Sequence, residues 1–463
     1  MGGGLLQLVA YGAQDAYLSG NPQITFWKGL YKRHTNFAME PFRINFNGQA
    51  NWGVKQTAIM TRHADLLYST YLEVQLPAQY PDGTNIQWNN GVDTNNLNPA
   101  ATMGRDQFGA ALGLNLLEFV ELDVGGQIID RKYSEFMYIW DQLTMSNMMK
   151  QINYSRMLNS SHSIVDNTIR QAVGCQPGNG RQASPSIFYI PLGFFFCRNP
   201  GAALPLIALQ YHEVKINVQW NENTLVAGSL AQLRARGLPA PTSAAIYTDY
   251  IYLDTEERRR FAQQSHEYLI EQVQFNQDVG ISSPNQRIDL TFNHPVKELI
   301  WVVQPSCYRD CKLPPRESQV QYVTGTAPNL VTDRLLALEY GLDGRVNPAK
   351  EMVYQQWLQI NGQDRMDKRY GDYYNKVQPY QHHSGKFITS GCYMYSFAIR
   401  PEENQPSGTC NFSRIDTATI VLTMDGGVTV DQGSSDTFDV RVYAINYNVF
   451  RVMSGMGGLA YSN

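Results

Sequence analysis

Charge is scarce in this chain. Asp, Glu, Lys and Arg make up 17% of its 463 residues, against about 25% in an average soluble domain. The 37 Lys and Arg face 41 Asp and Glu, for a formal net charge of -4. No basic face or concentrated basic arm of the kind that tracks a phosphate backbone stands out, so no direct nucleic-acid binding is expected. Cysteine is also sparse. The six residues Cys175, Cys197, Cys307, Cys311, Cys392 and Cys410 are too few for a disulfide scaffold. The start does not resemble a secretory signal peptide, and reduced thiols in a cytosolic setting are the expectation. Long hydrophobic runs are missing as well. The longest, 187–197, is interrupted by Pro191 and Gly193 and falls short of the roughly 20 residues a membrane helix requires, so a soluble chain is expected. Gly2 follows the first Met, but Leu6 stands where a myristoylation signal wants Ser or Thr, and the segment reads as a flexible arm.

Motifs that carry chemistry are absent too. There is no Walker loop, and Gly178-Asn179-Gly180-Arg181 lacks the third glycine and preceding strand of a dinucleotide site. His212-Glu213 and His266-Glu267 begin like zinc motifs, but Ile216 and Ile270 occupy the positions of the second histidine. Adjacent His382 and His383 would point to opposite faces of an extended segment, which favours a polar loop over a metal site. Cys307 and Cys311 have no second pair nearby to complete a zinc cage. No cofactor, metal or catalytic residue is assigned, and no enzyme is expected. Sequons begin at Asn153, Asn159 and Asn411; without a signal peptide they read as coincidental.

What is present reads as strands. Short runs rich in Val, Ile, Tyr and Phe, bounded by Gly, Pro, Asn or Asp, fall at 42–47, 66–76, 119–124, 187–196, 214–220 and 245–253. A second group falls at 269–275, 287–292, 298–303, 352–360, 393–399, 417–424 and 440–449. In one of these strands Val214, Ile216, Val218 and Trp220 alternate with polar neighbours, the period of a half-buried antiparallel strand. The clearest helix is Asp254-Thr255-Glu256-Glu257-Arg258-Arg259-Arg260-Phe261-Ala262, with Asp254 or Thr255 as cap and the two Glu at the positive end of the dipole. It separates the strand groups and reads as a solvated connection. Its charges, Glu256, Glu257, Arg258, Arg259 and Arg260, are expected to pair with each other or with a neighbour's acids.

The two groups resemble each other in order, as a fold built twice would. Leu72-Glu73-Val74-Gln75-Leu76-Pro77 can be laid against Ile300-Trp301-Val302-Val303-Gln304-Pro305. Val124-Gly125-Gly126-Gln127 followed by Asp130-Arg131-Lys132-Tyr133-Ser134-Glu135-Phe136 matches Ile360-Asn361-Gly362-Gln363 followed by Asp367-Lys368-Arg369-Tyr370-Gly371-Asp372-Tyr373. The Gly-Gly and Asn-Gly pairs suit tight hairpin turns. Tyr247-Thr248-Asp249-Tyr250 matches Tyr443-Ala444-Ile445-Asn446-Tyr447. Each half exceeds what eight strands need, so the excess lies in long loops at 80–113, 159–186, 221–243 and 306–350, lengths that usually serve function.

Several segments together resemble the major capsid proteins of nucleocytoplasmic large DNA viruses, and the resemblance covers nearly the whole chain. It is carried by Leu6-Gln7-Leu8-Val9-Ala10-Tyr11-Gly12-Ala13-Gln14-Asp15, Gly20-Asn21-Pro22-Gln23-Ile24-Thr25-Phe26 and Tyr31-Lys32-Arg33-His34-Thr35-Asn36-Phe37-Ala38. Further matches are Ile190-Pro191-Leu192-Gly193-Phe194-Phe195-Phe196, Ala208-Leu209-Gln210-Tyr211-His212-Glu213-Val214, the segment Asp249 through Ala262, Asn411-Phe412-Ser413-Arg414-Ile415-Asp416 and Tyr443-Ala444-Ile445-Asn446-Tyr447-Asn448.

This resemblance implies an all-β fold of two consecutive eight-stranded jelly rolls, a double jelly roll with few short helices and long loops. The expected division is an N-terminal arm and short helix (1–38), a first barrel (39–254), an interdomain helix (255–266) and a second barrel (267–463). It implies a homotrimer of pseudo-hexameric outline that tiles an icosahedral virion capsid, with neighbouring capsomers, minor capsid and penton proteins and, through minor proteins, the inner viral membrane as partners. Assembly in the host cytoplasm is the matching expectation. Leu5, Leu6, Phe26, Trp27, Leu30 and Tyr31 would belong to an inner-surface assembly arm, with a short amphipathic helix over 25–31. Glycans on relatives' outer loops keep Asn153, Asn159 and Asn411 as candidate acceptors.

The leading expectation is therefore a non-catalytic shell protein that acts by self-association. An obligate trimer should bury well above about 2,000 Å² in total and not persist as a monomer. The alternative is a carbohydrate-binding or carbohydrate-active β-sandwich, in which some of the 28 Tyr and 7 Trp form stacking platforms. An exposed aromatic row beside paired acids would favour that alternative.

Overall fold

The computed structural model describes residues 3–24, 26–27, 29, 31–77, 112–147, 150, 153–154, 157–158, 186–222, 239–283, 285–305, 353–385, 391–424 and 437–461. The chain divides into two units, Met1–Phe37 and Ala38–Asn463. The first contains two short helices, Gly3–Val9 and Asp15–Ser19, neither of which buries a residue. The helix expected over 25–31 is corrected: Phe26 and Trp27 sit at bends and Tyr31 lies outside any helix, while Thr25, Lys28 and Leu30 lie outside the described residues.

The second unit is built from antiparallel strands. Its first half supplies β1 (Phe37–Asn45), β2 (Lys55–Ile59), β3 (Leu66–Leu76), β4 (Leu117–Val124), β5 (Gln127–Tyr133), β6 (Ser186–Pro191), β7 (Leu204–Pro205), β8 (Val214–Trp220) and β9 (Ser243–Leu253). They form two facing sheets, in the order β1-β9-β3-β6, with β7 added to β3, and β2-β8-β4-β5. The second half supplies β10 (His266–Ile281), β11 (Asn285–Asp289), β12 (Pro295–Pro305), β13 (Val353–Ile360), β14 (Gln363–Asp364), β15 (Arg369–Tyr370), β16 (Cys392–Ser396), β17 (Cys410–Asn411), β18 (Ala418–Met424), β19 (Phe438–Met453) and β20 (Met456–Leu459). They form β10-β19-β12-β16 and β11-β18-β13-β14, with β17 and β20 extending the former and β15 the latter. In each half, two sheets enclose one apolar core, as in a jelly roll.

Alternation explains which face is buried. In β8 the side chains of Val214, Ile216, Val218 and Trp220 fill the first core. In β3, Leu72, Val74 and Leu76 are buried while Tyr71, Glu73 and Gln75 stay half-exposed. Both expected hairpins turn through left-handed residues: Gly125 and Gly126 at φ 63 and 88, and Asn361 and Gly362 at φ 51 and 75.

Three details differ from the sequence reading. The expected strand over 187–196 stops at Pro191, which donates no ladder hydrogen bond, and Phe195–Arg198 forms a helical turn that sinks Phe194, Phe195 and Phe196 into the first core. Leu72 and Val74 face the first core, whereas Ile300 and Val302, their partners by letter, face away from the second core, which takes Leu299, Trp301 and Val303. The letter match is therefore one residue out of register, and a one-residue slip exchanges the faces. The third is a helix, Ser134–Thr144, in a segment that gave only a hairpin signal.

Each core holds an indole bonded to a buried glutamine: Trp220 Nε1 donates to Gln56 Oε1 at 2.8 Å, and Trp301 Nε1 to Gln356 Oε1 at 2.9 Å. Trp220→Phe removes both volume and the donor, and is expected to cost about 2–4 kcal/mol. Adding Gln56→Leu should recover part of that loss by removing the orphaned amide. Chemical denaturation of the two variants checks this, and a double variant weaker than the single one by the full sum of two deletions would contradict it.

Candidate functional site

A protein that works by association needs a rigid body and presentable faces. Here the rigid body depends on the seam between the two halves, and the helix Ser134–Thr144 makes that seam. Its residues Phe136, Ile139, Trp140 and Leu143 recur at helical spacing and are buried against Val273, Ile300, Val302, Cys392, Met394, Tyr443 and Ile445 of the second half. The helix thus leaves the first barrel and lies on the outer face of the second barrel's β10-β19-β12-β16 sheet. Ile270, Phe450 and Val452 of that sheet also join the first core.

Polar contacts fix the helix at both ends, an ion pair at its start and neutral donors at its end. At its start, Arg441 Nε and Nη2 each donate to Glu135 at 2.7 Å, and the Tyr443 hydroxyl donates to the same carboxylate at 2.7 Å. Burial alone would lower the Arg441 pKa, but Glu135 outweighs it and raises it. At the helix end, Gly385 N donates to Leu143 O at 2.6 Å and Ser384 Oγ to Thr144 O at 3.2 Å, satisfying carbonyls that a helix end leaves unpaired. A Cβ on Gly385 would fall 2.2 Å from the carbonyl oxygens of Gln142 and Leu143, so only glycine permits this approach.

Between the ends lies a buried ionic chain. Lys132 Nζ stands 3.0 Å from Asp130 Oδ2, and Val273 N donates to Asp130 Oδ1 at 3.1 Å. Glu271 receives Arg198 at 2.8 Å and Lys297 at 2.5 Å, and Lys297 also donates to Pro401 O at 2.7 Å. Burial alone would raise the Glu271 pKa, but Lys297 and Arg198 hold it below the ordinary value. The two cations also lie over the Trp140 ring, at 4.6 Å for Arg198 and 5.4 Å for Lys297. His383 closes the chain. Its Nε2 lies 2.9 Å from Glu298 and its Nδ1 2.9 Å from Glu402, so both ring nitrogens donate and the ring is an imidazolium. Burial alone would lower its pKa; the two carboxylates raise it to about 9.

The histidine pair is thus corrected: His382 ends the short helix Gln378–His382, and the His383 side chain is fully buried in the seam rather than part of a polar loop. Among the described residues, no group of three or more His, Cys, Asp or Glu could hold a metal ion.

The other predicted residues are distributed as follows. In the arm, Leu5 and Leu6 are each 57% exposed, and Phe26, Trp27 and Tyr31 more so; Leu30 lies outside the described residues. Asp254 caps the helix Thr255–Gln263 by accepting from Thr255 N at 2.7 Å. Arg258 does not pair with Glu256 or Glu257 as expected; it reaches Asp65, at 3.0 Å, because that carboxylate is held at the helix start by Leu253 N. Glu256, Arg259 and Arg260 are exposed, solvated charges, and Glu257 is half-buried. Asn153 is exposed, and Asn159 lies outside the described residues. Asn411 accepts from Ser413 N at 3.1 Å while the Ser413 hydroxyl accepts from His294 N at 2.8 Å, so this triplet serves a local turn. Sequence reading missed the seam helix, although the spacing of Phe136, Ile139, Trp140 and Leu143 was a usable signal.

Comparison with known proteins gives a consistent picture. Residues 25–254 match the family described as major capsid protein N-terminus, and residues 257–458 match large eukaryotic DNA virus major capsid protein. The chain is 41% identical to the major capsid protein of Phaeocystis pouchetii virus and 39% identical to that of Paramecium bursaria Chlorella virus 1, each over 100% of both chains. A chain of the PBCV-1 virus capsid, a quasi-atomic model, superposes with a TM-score of 0.69 at 35% identity, covering 95% of this chain and 100% of that one. The Faustovirus major capsid protein, 13% identical with a TM-score of 0.62 over 96% of this chain and 94% of that one, shares the fold.

Two outcomes test the seam. Glu135→Gln strands the buried Arg441 charge and is expected to cost about 3–5 kcal/mol, whereas Glu135→Gln with Arg441→Met should cost less than the single change; denaturant titration of both distinguishes them. His383 has a folded pKa of about 9 against 6.5 when free. Its contribution, about 3 kcal/mol, is therefore complete below pH 6.5 and lost as pH rises to about 9. Stability measured from pH 6 to 10 should fall across that window, and His383→Gln should flatten this part of the profile. An unchanged slope in the variant would refute the assignment.

Proposed function

Because this chain belongs to the large eukaryotic DNA virus major capsid protein family, we propose that it builds its shell as a homotrimeric capsomer in which six barrels give a hexagonal outline from threefold symmetry. It is a structural, non-catalytic component of the virion capsid. The observation that carries the trimer reading is the seam: two similar barrels locked by a buried helix and ion pairs form one tile with two lobes. Three such tiles approximate a hexagon, which packs a flat face efficiently. The division into a first barrel at 39–254 and a second at 267–463, with the helix between them, is the matching domain organisation.

The arm supports a second element of this reading. Phe26 is 102% exposed, Tyr31 95%, Ile24 90% and Trp27 86%. Large apolar side chains displayed this densely mark an interaction segment. The arm serves as the contact with minor capsid and penton proteins, and through minor proteins with an inner membrane, during assembly in the host cytoplasm. The carbohydrate alternative has less support, since Trp220, Trp301, Tyr250, Tyr374, Tyr393 and Tyr443 are core residues and form no exposed stacking row.

Light scattering coupled to size exclusion should give a mass near three times 52.4 kDa, with hexagonal particles in negative stain. A persistent monomer would refute the capsomer. Deleting residues 1–36 is expected to leave that mass and the melting temperature unchanged while abolishing co-sedimentation with capsid-derived inner components. Loss of the trimer on deletion would instead place the arm in the capsomer interface.

A further inference from the structure

The two halves carry equivalent outer faces, and among the described residues only that of the second half is covered by a helix of the same chain. In the second half, Ile300 pairs across strands with Tyr443 and Val302 pairs with Cys392. In the first half the corresponding pairs are Tyr71 with Tyr247 and Glu73 with Tyr189. Ile300, Val302, Cys392 and Tyr443 are covered by the seam helix. Their counterparts are not sealed in this way. Tyr189 is 36% exposed and Ile187 41%, and Tyr71, Tyr247, Glu73 and Asp249 are half-exposed. The tyrosines form one cluster: Tyr71 stacks on Tyr247 at 5.4 Å and meets Tyr189 edge-on at 6.0 Å. Glu73 and Asp249 make this face acidic.

The duplicated sequence also supplies an equivalent of the seam helix. The repeat that matches Asp130 through Phe136 with Asp367 through Tyr373 continues into the consecutive segments Tyr373–Val377 and Gln378–His382. The buried face Phe136, Ile139, Trp140 and Leu143 then corresponds by position to Tyr373, Lys376, Val377 and Tyr380. In this second copy, Tyr380 is 86% exposed and Val377 38%. Lys376 is exposed and held only by Asp372 at 2.8 Å, a surface pair of little strength. One chain therefore presents an acidic tyrosine face and a cationic, apolar helical segment, each equivalent to a surface already joined to the other kind at the seam.

We propose that a second copy of this chain seats residues 373–380 on the tyrosine face of β1-β9-β3-β6, repeating between subunits the contact made within each. Lys376 approaches Glu73 and Asp249, and Tyr380 and Val377 pack on Tyr71, Tyr189 and Tyr247. The contact is heterologous rather than two-fold, and in the threefold ring of the capsomer reading three copies leave neither surface vacant. This inference rests on the trimer reading and deepens it.

The test is intersubunit crosslinking of the full chain. Tyr189→Cys combined with Tyr380→Cys, treated with a short bis-maleimide, is expected to give covalent dimers and trimers on a denaturing gel. The unsubstituted chain and each single variant control for the native cysteines, and peptide mapping identifies the bond. Glu73→Cys with Val377→Cys provides a second pair should the first alter the melting temperature. In addition, Tyr380→Asp should weaken trimerisation at least tenfold in sedimentation while leaving the melting temperature of the dissociated chain unchanged. Trimers that form but show no 189–380 or 73–377 crosslink would overturn this docking and leave the capsomer intact. A stable monomer from the unsubstituted chain would overturn both.

Discussion

The architecture depends on one constraint, that the helix Ser134–Thr144 of the first half can lie only one way on the second. Two sandwiches joined by the nine-residue helix Thr255–Gln263 alone would be free to swing. The apolar face of Phe136, Ile139, Trp140 and Leu143 supplies attraction without direction. Direction comes from the bidentate Arg441–Glu135 pair at the helix start and from Ser384 and Gly385 at its end. Buried ion pairs often contribute little net stability compared with apolar replacements, yet a misplaced one leaves a charge unpaired at large cost. The seam therefore penalises every alternative orientation more than it stabilises the correct one.

Charge balance along the seam follows the same logic. Lys132 has Asp130, Arg198 and Lys297 share Glu271, and His383 sits between Glu298 and Glu402. Asp141, on the same helix, receives the Tyr154 hydroxyl. Its burial raises its pKa to about 7, although Tyr154 and Arg198 oppose the shift. A carboxylate is buried at low cost when it is paired with a cation, as Glu135 is with Arg441; without a bonded cation, burial raises the Asp141 pKa instead.

The sequence revealed the strands better than their assembly. Alternation in 214–220 and the Gly125-Gly126 and Asn361-Gly362 turns identified paired strands because those signals act through the backbone nearest to them. The seam was not readable in the same way. Glu135 and Arg441 lie 306 residues apart, and nothing local distinguishes them from surface charges. The helix itself was obscured because Asp130 through Phe136 continues directly from a hairpin strand. His383 looked like a loop residue because its partners, Glu298 and Glu402, come from elsewhere in the chain. The repeat was visible, but Leu72 matched Ile300 by letter while facing the opposite side. Hydrophobicity alone does not fix register when both faces of a strand are buried, as they are in β12.

That double burial explains how two copies of one fold diverged in composition. The outer face of β10-β19-β12-β16 is covered within its own chain as it folds and can afford Ile300, Val302 and Cys392, apolar groups that would invite aggregation if displayed. The equivalent face of β1-β9-β3-β6 must remain compatible with water until another subunit arrives. Tyr71, Tyr189 and Tyr247 suit that condition, because a phenol ring buries large area in a contact and keeps a hydroxyl for solvent before it. Glu73 and Asp249 keep the waiting face hydrated and discourage it from meeting its own kind, since like charges brought together across a two-fold contact repel. A symmetric dimer through this face would bring acid against acid, whereas a head-to-tail contact offers Lys376. The same side chains that keep the waiting face hydrated therefore bias its association toward head-to-tail contacts.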